Sequence, residues 1–309
     1  MKIFKVLIYL LPILAFIVAT TARDMHDGAL GTKSNPIKLY FTPSIDAKRI
    51  SFSAKSLVDY LQKETGYYFT TALPASYVAV VEAFGTSKAD IASINTFSYL
   101  MANAKYGAQA KLIIVRDNNE ASYRGAFITR TNSGIDSLKD LNGKSFAYVD
   151  PSSTSGYILA KAVLDSLHIH PSETVFAMRH DNVVTMVYQR QVDAGAIYYD
   201  PPDPKTGQVY DARMRVEKQF PDVVKKVKVI GFTPPIPNDP WVFRKGMPEN
   251  MKDKVINALL KFVKTPEGAI ALYNMYDVRG FIRAKDSDYD QLRKLLAREH
   301  ISFESLVKK

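Results

Sequence analysis

The chain has 309 residues, 47% hydrophobic and 23% charged, a balance that describes a globular chain with room for two lobes. It has no cysteine, which excludes disulfides, thiolate metal sites, a cysteine nucleophile and lipid attachment at a thiol. The formal charge of +10 is spread along the chain, and its densest runs, Lys225-Lys226-Val227-Lys228 and Lys308-Lys309, lack interleaved aromatics, so nucleic acid is not an expected partner.

Lys2 and Lys5 precede an uncharged run from Val6 to Ala19, and the small residues Ala19-Thr20-Thr21-Ala22 follow. This order predicts that residues 1–22 are a secretory signal peptide or an uncleaved N-terminal anchor. On either reading the remainder is exported, to the periplasm or the outer face of the cytoplasmic membrane. Residues 23–35 are polar and glycine-bearing and read as a tether.

Ile37 to Phe41 predicts a strand, Ile45 to Thr65 a helix closed by Gly66, and Tyr67 to Thr71 a second strand. A short helix from Ser76, a strand at Asp90–Ile94, a helix from Phe97 and a strand at Ala110–Val115 follow. After the polar break Arg116–Glu120 the alternation restarts. Strands are expected at Tyr123–Thr129, Phe146–Val149, Glu173–Met178 and Asp193–Ile197, with a helix from Ile158 and another that follows His180-Asp181-Asn182 and ends near Arg190. Prolines 201, 202 and 204 force an extended loop. Val227–Ile230 and the proline-rich 233–240 look like a return connection, and Trp241–Arg244 a final strand before the C-terminal helices. The expected fold is α/β and two-lobed, each lobe a mostly parallel sheet flanked by helices, with ligand in the cleft between lobes. Lobe 1 would comprise residues 36–120 and 236–309, and lobe 2 residues 121–235.

Open α/β sheets bind ligands at the carboxyl ends of their strands. The loops so placed hold Thr42-Pro43-Ser44, Asn95-Thr96, Ser152 to Gly156, His180-Asn182 and Tyr198 to Asp200. Of these, Asp150-Pro151-Ser152-Ser153-Thr154-Ser155-Gly156-Tyr157 combines hydroxyl donors with a helix start, a place receptive to an anion. The same residues also fit a simple N-cap. Trp241 and the Tyr198-Tyr199 pair suit either cleft or core. His168 and His170, two apart, fit a surface pair better than a metal site. There is no Gly-x-Ser-x-Gly elbow and no recognisable metal-ligand spacing.

In order and spacing, several segments together resemble the periplasmic phosphate-, phosphonate- and phosphite-binding proteins of ABC importers, over roughly residues 36–300. They are Asp150 to Gly156, Arg179-His180-Asp181, Val192-Asp193-Ala194-Gly195-Ala196, Ile236-Pro237-Asn238-Asp239-Pro240, and Gly280-Phe281 with Asp288 to Arg293. The resemblance implies a type II periplasmic-binding-protein fold and a small phosphorus oxyanion as ligand. It further implies an ABC permease in the inner membrane as partner, no catalysis, no cofactor and a monomer. It assigns the phosphoryl oxygens to Ser153, Thr154 and Ser155, places His180 beside them, and brings Thr42, Thr96 and Tyr99 over them from the first lobe. In relatives that bind aminoalkyl phosphonates, two carboxylates hold the ammonium; the matching positions are Asp200 and Asp239, although those relatives carry glutamate at the first. An exported oxyanion sensor, or an exported phosphatase, stands as the alternative.

Overall fold

A computed structural model describes residues 28–116, 121–202 and 205–298. The expected signal peptide or anchor and the first part of the expected tether lie outside these residues. Residues 28–35 turn against the first lobe, where the Gly31 amide donates to Asn35 and its carbonyl accepts from Tyr68.

β1 (Ile37–Phe41) buries every second residue, and α1 (Ala47–Thr65) buries Ile50, Ala54, Leu57 and Leu61, the spacing of one helical face. Asp46 caps α1 through the amides of Lys48 and Arg49, and Gly66 ends it in the left-handed region at φ 71°. β2 (Phe69–Ala72), α2 (Tyr77–Gly85), β3 (Ile91–Ser93), α3 (Thr96–Tyr106) and β4 (Gln109–Val115) continue the alternation. β5 (Ser122–Arg130) opens the second lobe, followed by β6 (Ser145–Tyr148), α4 (Leu159–Ser166), β7 (Glu173–Phe176), α5 (His180–Tyr188) and β8 (Ala194–Tyr199). α6 (Val223–Lys226), β9 (Val227–Phe232) and β10 (Ile236–Pro237) lead back. β11 (Pro240–Phe243), α7 (Glu249–Phe262), α8 (Pro266–Tyr276), β12 (Gly280–Arg283) and α9 (Asp290–Arg298) complete the first lobe.

The first sheet runs β12-β4-β11-β3-β1-β2, and the second β10-β5-β8-β6-β7 with β9 also on β5. The helix-linked strands pair in parallel, β1 with β2 and β3, and β6 with β7 and β8. Antiparallel pairs appear where the chain crosses between lobes or returns: β5 on β8, β11 between β3 and β4, and β12 on β4. Both sheets are therefore mixed, because β5 and β11 enter from the opposite lobe rather than through a crossover helix.

The carboxyl ends of β1, β3, β4, β6 and β8 all deliver residues to the cleft. The lobes meet there. Asn95 Nδ2 donates to the Ser152 carbonyl at 3.0 Å, the Phe97 amide to Thr154 Oγ1 at 2.9 Å, and the His180 amide to the Ser44 carbonyl at 3.2 Å. One buried apolar cluster continues from Tyr77, Ile94 and Phe97 to Tyr123, Val149 and Ile158. The structure is a closed form.

Candidate functional site

Between the lobes lies a cavity of about 50 Å³ walled by Thr42, Ser44, Asn95, Arg116, Tyr123, Ser153, Thr154, Ser155, His180, Tyr198, Arg215, Asp239, Tyr276 and Asp277. One water needs roughly 10–15 Å³ of such space, so the cavity suits a small polyatomic ion.

Its floor is the hydroxyl-rich turn after β6. Ser153 is an N-cap: its Oγ accepts from the Gly156 amide at 3.2 Å, and its carbonyl accepts from Tyr157 and Ile158. Thr154–Ile158 form a single π-helical turn before α4, a wider turn that recurs at functional sites. Ser153 Oγ and Thr154 Oγ1 both accept from backbone amides; Thr154 Oγ1 also donates to Asn95 Oδ1 at 3.5 Å, whereas Ser153 retains its proton to donate. The cap and the expected anion site are thus the same residues. Two glycines make this packing possible. A Cβ on Gly156 would stand 2.4 Å from Val149 Cγ2, and one on Gly125 would stand 2.8 Å from the Ser155 carbonyl oxygen. Asp150 anchors the start of the turn, accepting from the Ser152 amide at 2.7 Å; burial raises its pKa.

His180 begins α5 and is 5% exposed. Its Nδ1 accepts from the Tyr198 amide at 3.1 Å, which places the ring proton on Nε2. Burial first, then the charges of Arg116 and Arg215, push its pKa down to about 3. At neutral pH it is an uncharged N–H donor. Met178, two residues earlier, holds a left-handed backbone at φ 69° that turns the chain from β7 into α5.

Two arginines complete the wall. Arg116, directly after β4, lies 3.6 Å from Asp200 and 3.2 Å from Asp239. Burial alone would lower its pKa, but Asp200 and then Asp239 outweigh burial and raise it, so it stays charged. Arg215, on the 3-10 turn Ala212–Val216, pairs with Asp277 and donates to the Tyr198 hydroxyl at 3.0 Å. Asp239 has its pKa raised by burial, against the pull of Arg116 and of a Thr96 hydrogen bond. With Asp200 and Asp239 both ionised, Arg116 leaves that group one charge negative. A proton on Asp239, or a P–OH donated to it, restores neutrality beside an anion.

Of the residues expected from sequence, Thr42, Ser153, Thr154, Ser155, His180 and Asp239 line the cavity. Thr96 stands behind it, with its hydroxyl 2.7 Å from the Pro237 carbonyl and 3.3 Å from Asp239. Asp200 is buried behind Arg116. Tyr99 lies outside the wall: its hydroxyl is bonded to Asp286 and its ring meets Tyr289 edge-on. Trp241 belongs to the core, edge-on to Phe41 and Phe281, whereas Tyr198 lines the cleft and Tyr199 packs on Phe232. His168 and His170 are exposed. Sequence reading passed over Arg116, Arg215, Tyr123, Asp277 and Tyr276. A signal existed for Arg116, which follows four buried residues at the carboxyl end of a strand, the position from which the other site residues were drawn.

The fold and the cleft define a type II periplasmic binding protein. The profile of the family described as "ABC transporter, phosphonate, periplasmic substrate-binding protein" matches residues 39–289, and the chain belongs to that family. It is 27% identical over 217 residues, 67% of this chain and 60% of the relative, to the "Phosphonates-binding periplasmic protein" of Escherichia coli. It is also 27% identical over 172 residues, 52% of this chain and 54% of the relative, to the "Phosphate-import protein PhnD" of Mycolicibacterium smegmatis. The matched part thus spans somewhat over half the length of these curated relatives. The fold is shared with a binding protein component of an ABC phosphonate transporter from Pseudomonas aeruginosa, with a TM-score of 0.75, 21% identity and coverage of 86% and 87%. It is shared too with PhnD1 of Prochlorococcus marinus in complex with methylphosphonate, with a TM-score of 0.72, 18% identity and coverage of 86% and 98%.

Proposed function

We propose that this protein captures a small phosphorus oxyanion (phosphate, phosphite or a short phosphonate) outside the cytoplasmic membrane and presents it to an ABC permease. The observation that carries this reading is the composition of the cavity wall. Neutral donors, the Ser153, Thr154 and Ser155 hydroxyls and His180 Nε2–H, share the wall with two buried arginines that are paired with aspartates. Such a wall binds an oxyanion by hydrogen-bond number and direction, with little net charge of its own. The family and the names of its relatives support the phosphorus chemistry. Among the described residues, 36–116 with 236–298 act as one jaw in this reading, and 121–202 with 205–235 as the other. Thr42 and Asp239 act from the first; Ser153, Thr154, Ser155 and His180 act from the second. Asp239 accepts a P–OH proton, with Thr96 and Asp200 positioning Asp239 and Arg116. Closure is driven by contacts with both jaws at once.

Calorimetric titration of the mature protein with phosphate, phosphite and methylphosphonate tests the reading. Saturable heat with at least one of them is expected; a folded protein that yields none would refute it.

A further inference from the structure

Two carboxylates converge on Arg116 at one end of the cavity, Asp239, before β11, in the wall and Asp200, after β8, buried behind it. Such a pair would ordinarily recruit a cationic group from a ligand, because buried carboxylates need a counter-charge. Here the protein supplies one. The guanidinium of Arg116 lies between them, 3.6 Å from Asp200 and 3.2 Å from Asp239. The rings of Tyr123 and Tyr198 pack against it, their centres 4.8 Å and 5.6 Å away. Arg116 is 6% exposed, and its Nε and Nη1, though buried, make no hydrogen bond to the described residues. Arg116 is also part of the cavity wall.

We infer that Arg116 is a specificity-determining residue: it occupies the acidic end of the cleft as an internal cation, so the site selects oxyanions without an ammonium group and rejects aminoalkyl phosphonates. The inference rests on the proposed function and narrows its ligand class. A ligand ammonium could reach Asp200 and Asp239 only by displacing a buried, aromatic-flanked guanidinium, or by standing beside it with like charge. An uncharged alkyl or hydrogen substituent meets neither obstacle. The small volume of the cavity, about 50 Å³, points the same way.

The test compares ethylphosphonate with 2-aminoethylphosphonate, which differ at the terminal group, by calorimetry on the wild-type protein and on Arg116→Met. Methylphosphonate and phosphate serve as controls for the proposed function itself. Wild type should bind ethylphosphonate at least about tenfold more tightly than the amino compound, the scale set by one unfavourable buried charge contact. Arg116→Met, which removes the cation paired with both aspartates, should lower that ratio by at least about tenfold. Equal affinity of wild type for the two compounds, or equal failure of both while methylphosphonate binds, would overturn the inference whether or not the variant folds. Failure of every oxyanion with wild type would instead overturn the proposed function.

Discussion

Thr154→Val removes one oxygen from the seam between the lobes. Thr154 Oγ1 accepts from the Phe97 amide at 2.9 Å in a fully buried setting, and the two residues lie 57 positions apart on opposite jaws. The bond forms only when the cleft is shut, so its loss falls on the closing equilibrium and not on the stability of either lobe. Removing the acceptor from a buried amide costs roughly 1–3 kcal/mol. Because ligand capture is coupled to closure, this weakens apparent affinity by about 5- to 150-fold. The hydroxyl's bond to Asn95 Oδ1 at 3.5 Å, also across the seam, is lost as well, which sets the expected floor near tenfold. Calorimetry with methylphosphonate reads the affinity, and thermal unfolding without ligand reads the lobes. Thr154→Ser keeps the acceptor and should remain within about threefold of wild type. Unchanged affinity in Thr154→Val would refute the reasoning, as would a valine variant whose ligand-free unfolding midpoint falls in step with its affinity.

Three further outcomes follow from the same geometry. The folded-state pKa of His180, about 3, is below the roughly 6.5 of an unfolded histidine, so between these values the unfolded chain binds the extra proton. The stabilising contribution is complete above about pH 6.5 and falls by roughly 1.4 kcal/mol per unit below it, about 2 kcal/mol by pH 5; urea unfolding at the two pH values should show a slope that His180→Gln flattens. Gly156→Ala forces a Cβ to within 2.4 Å of Val149 in a buried turn and should destabilise the protein by about 1–3 kcal/mol, seen as a lower urea midpoint. Asp239, its pKa already raised by burial, should take up a proton when a dianion binds. Affinity then grows as pH falls, and the binding heat varies with buffer ionisation enthalpy; Asp239→Asn should abolish that variation, and buffer-independent heat in wild type would contradict the assignment.

Local signals carried most of the framework. β1 spans the predicted Ile37–Phe41, and α1 begins two residues after the expected Ile45, where Asp46 supplies the cap. The hydroxyl turn was legible because a strand, a cap and a helix start fall within one segment. The cap reading and the anion reading are compatible in one arrangement, since Ser153 accepts from the backbone while keeping its proton. What sequence could not disclose was partnership across distance. Arg116 read as part of a polar break, and the structure pairs it with Asp239, 123 residues away. The family resemblance set Tyr99 beside Thr96 over the ligand. A segment 187 residues later presents Asp286 to its hydroxyl and holds it outside. The parallel pairing of the helix-linked strands followed from their spacing. The antiparallel β5 and β11 did not, because their direction depends on where the chain changes lobe.

The central claim is that the cleft takes up a phosphorus oxyanion on the Ser153–Ser155 turn, and phosphorus NMR observes that atom directly. Methylphosphonate titrated into the mature protein should give a distinct bound resonance that saturates at one ligand per chain, and the resonance should vanish in Ser153→Ala with Ser155→Ala while the fold persists. A single unshifted resonance throughout the titration, or a bound resonance that survives the double substitution unchanged, would contradict the account.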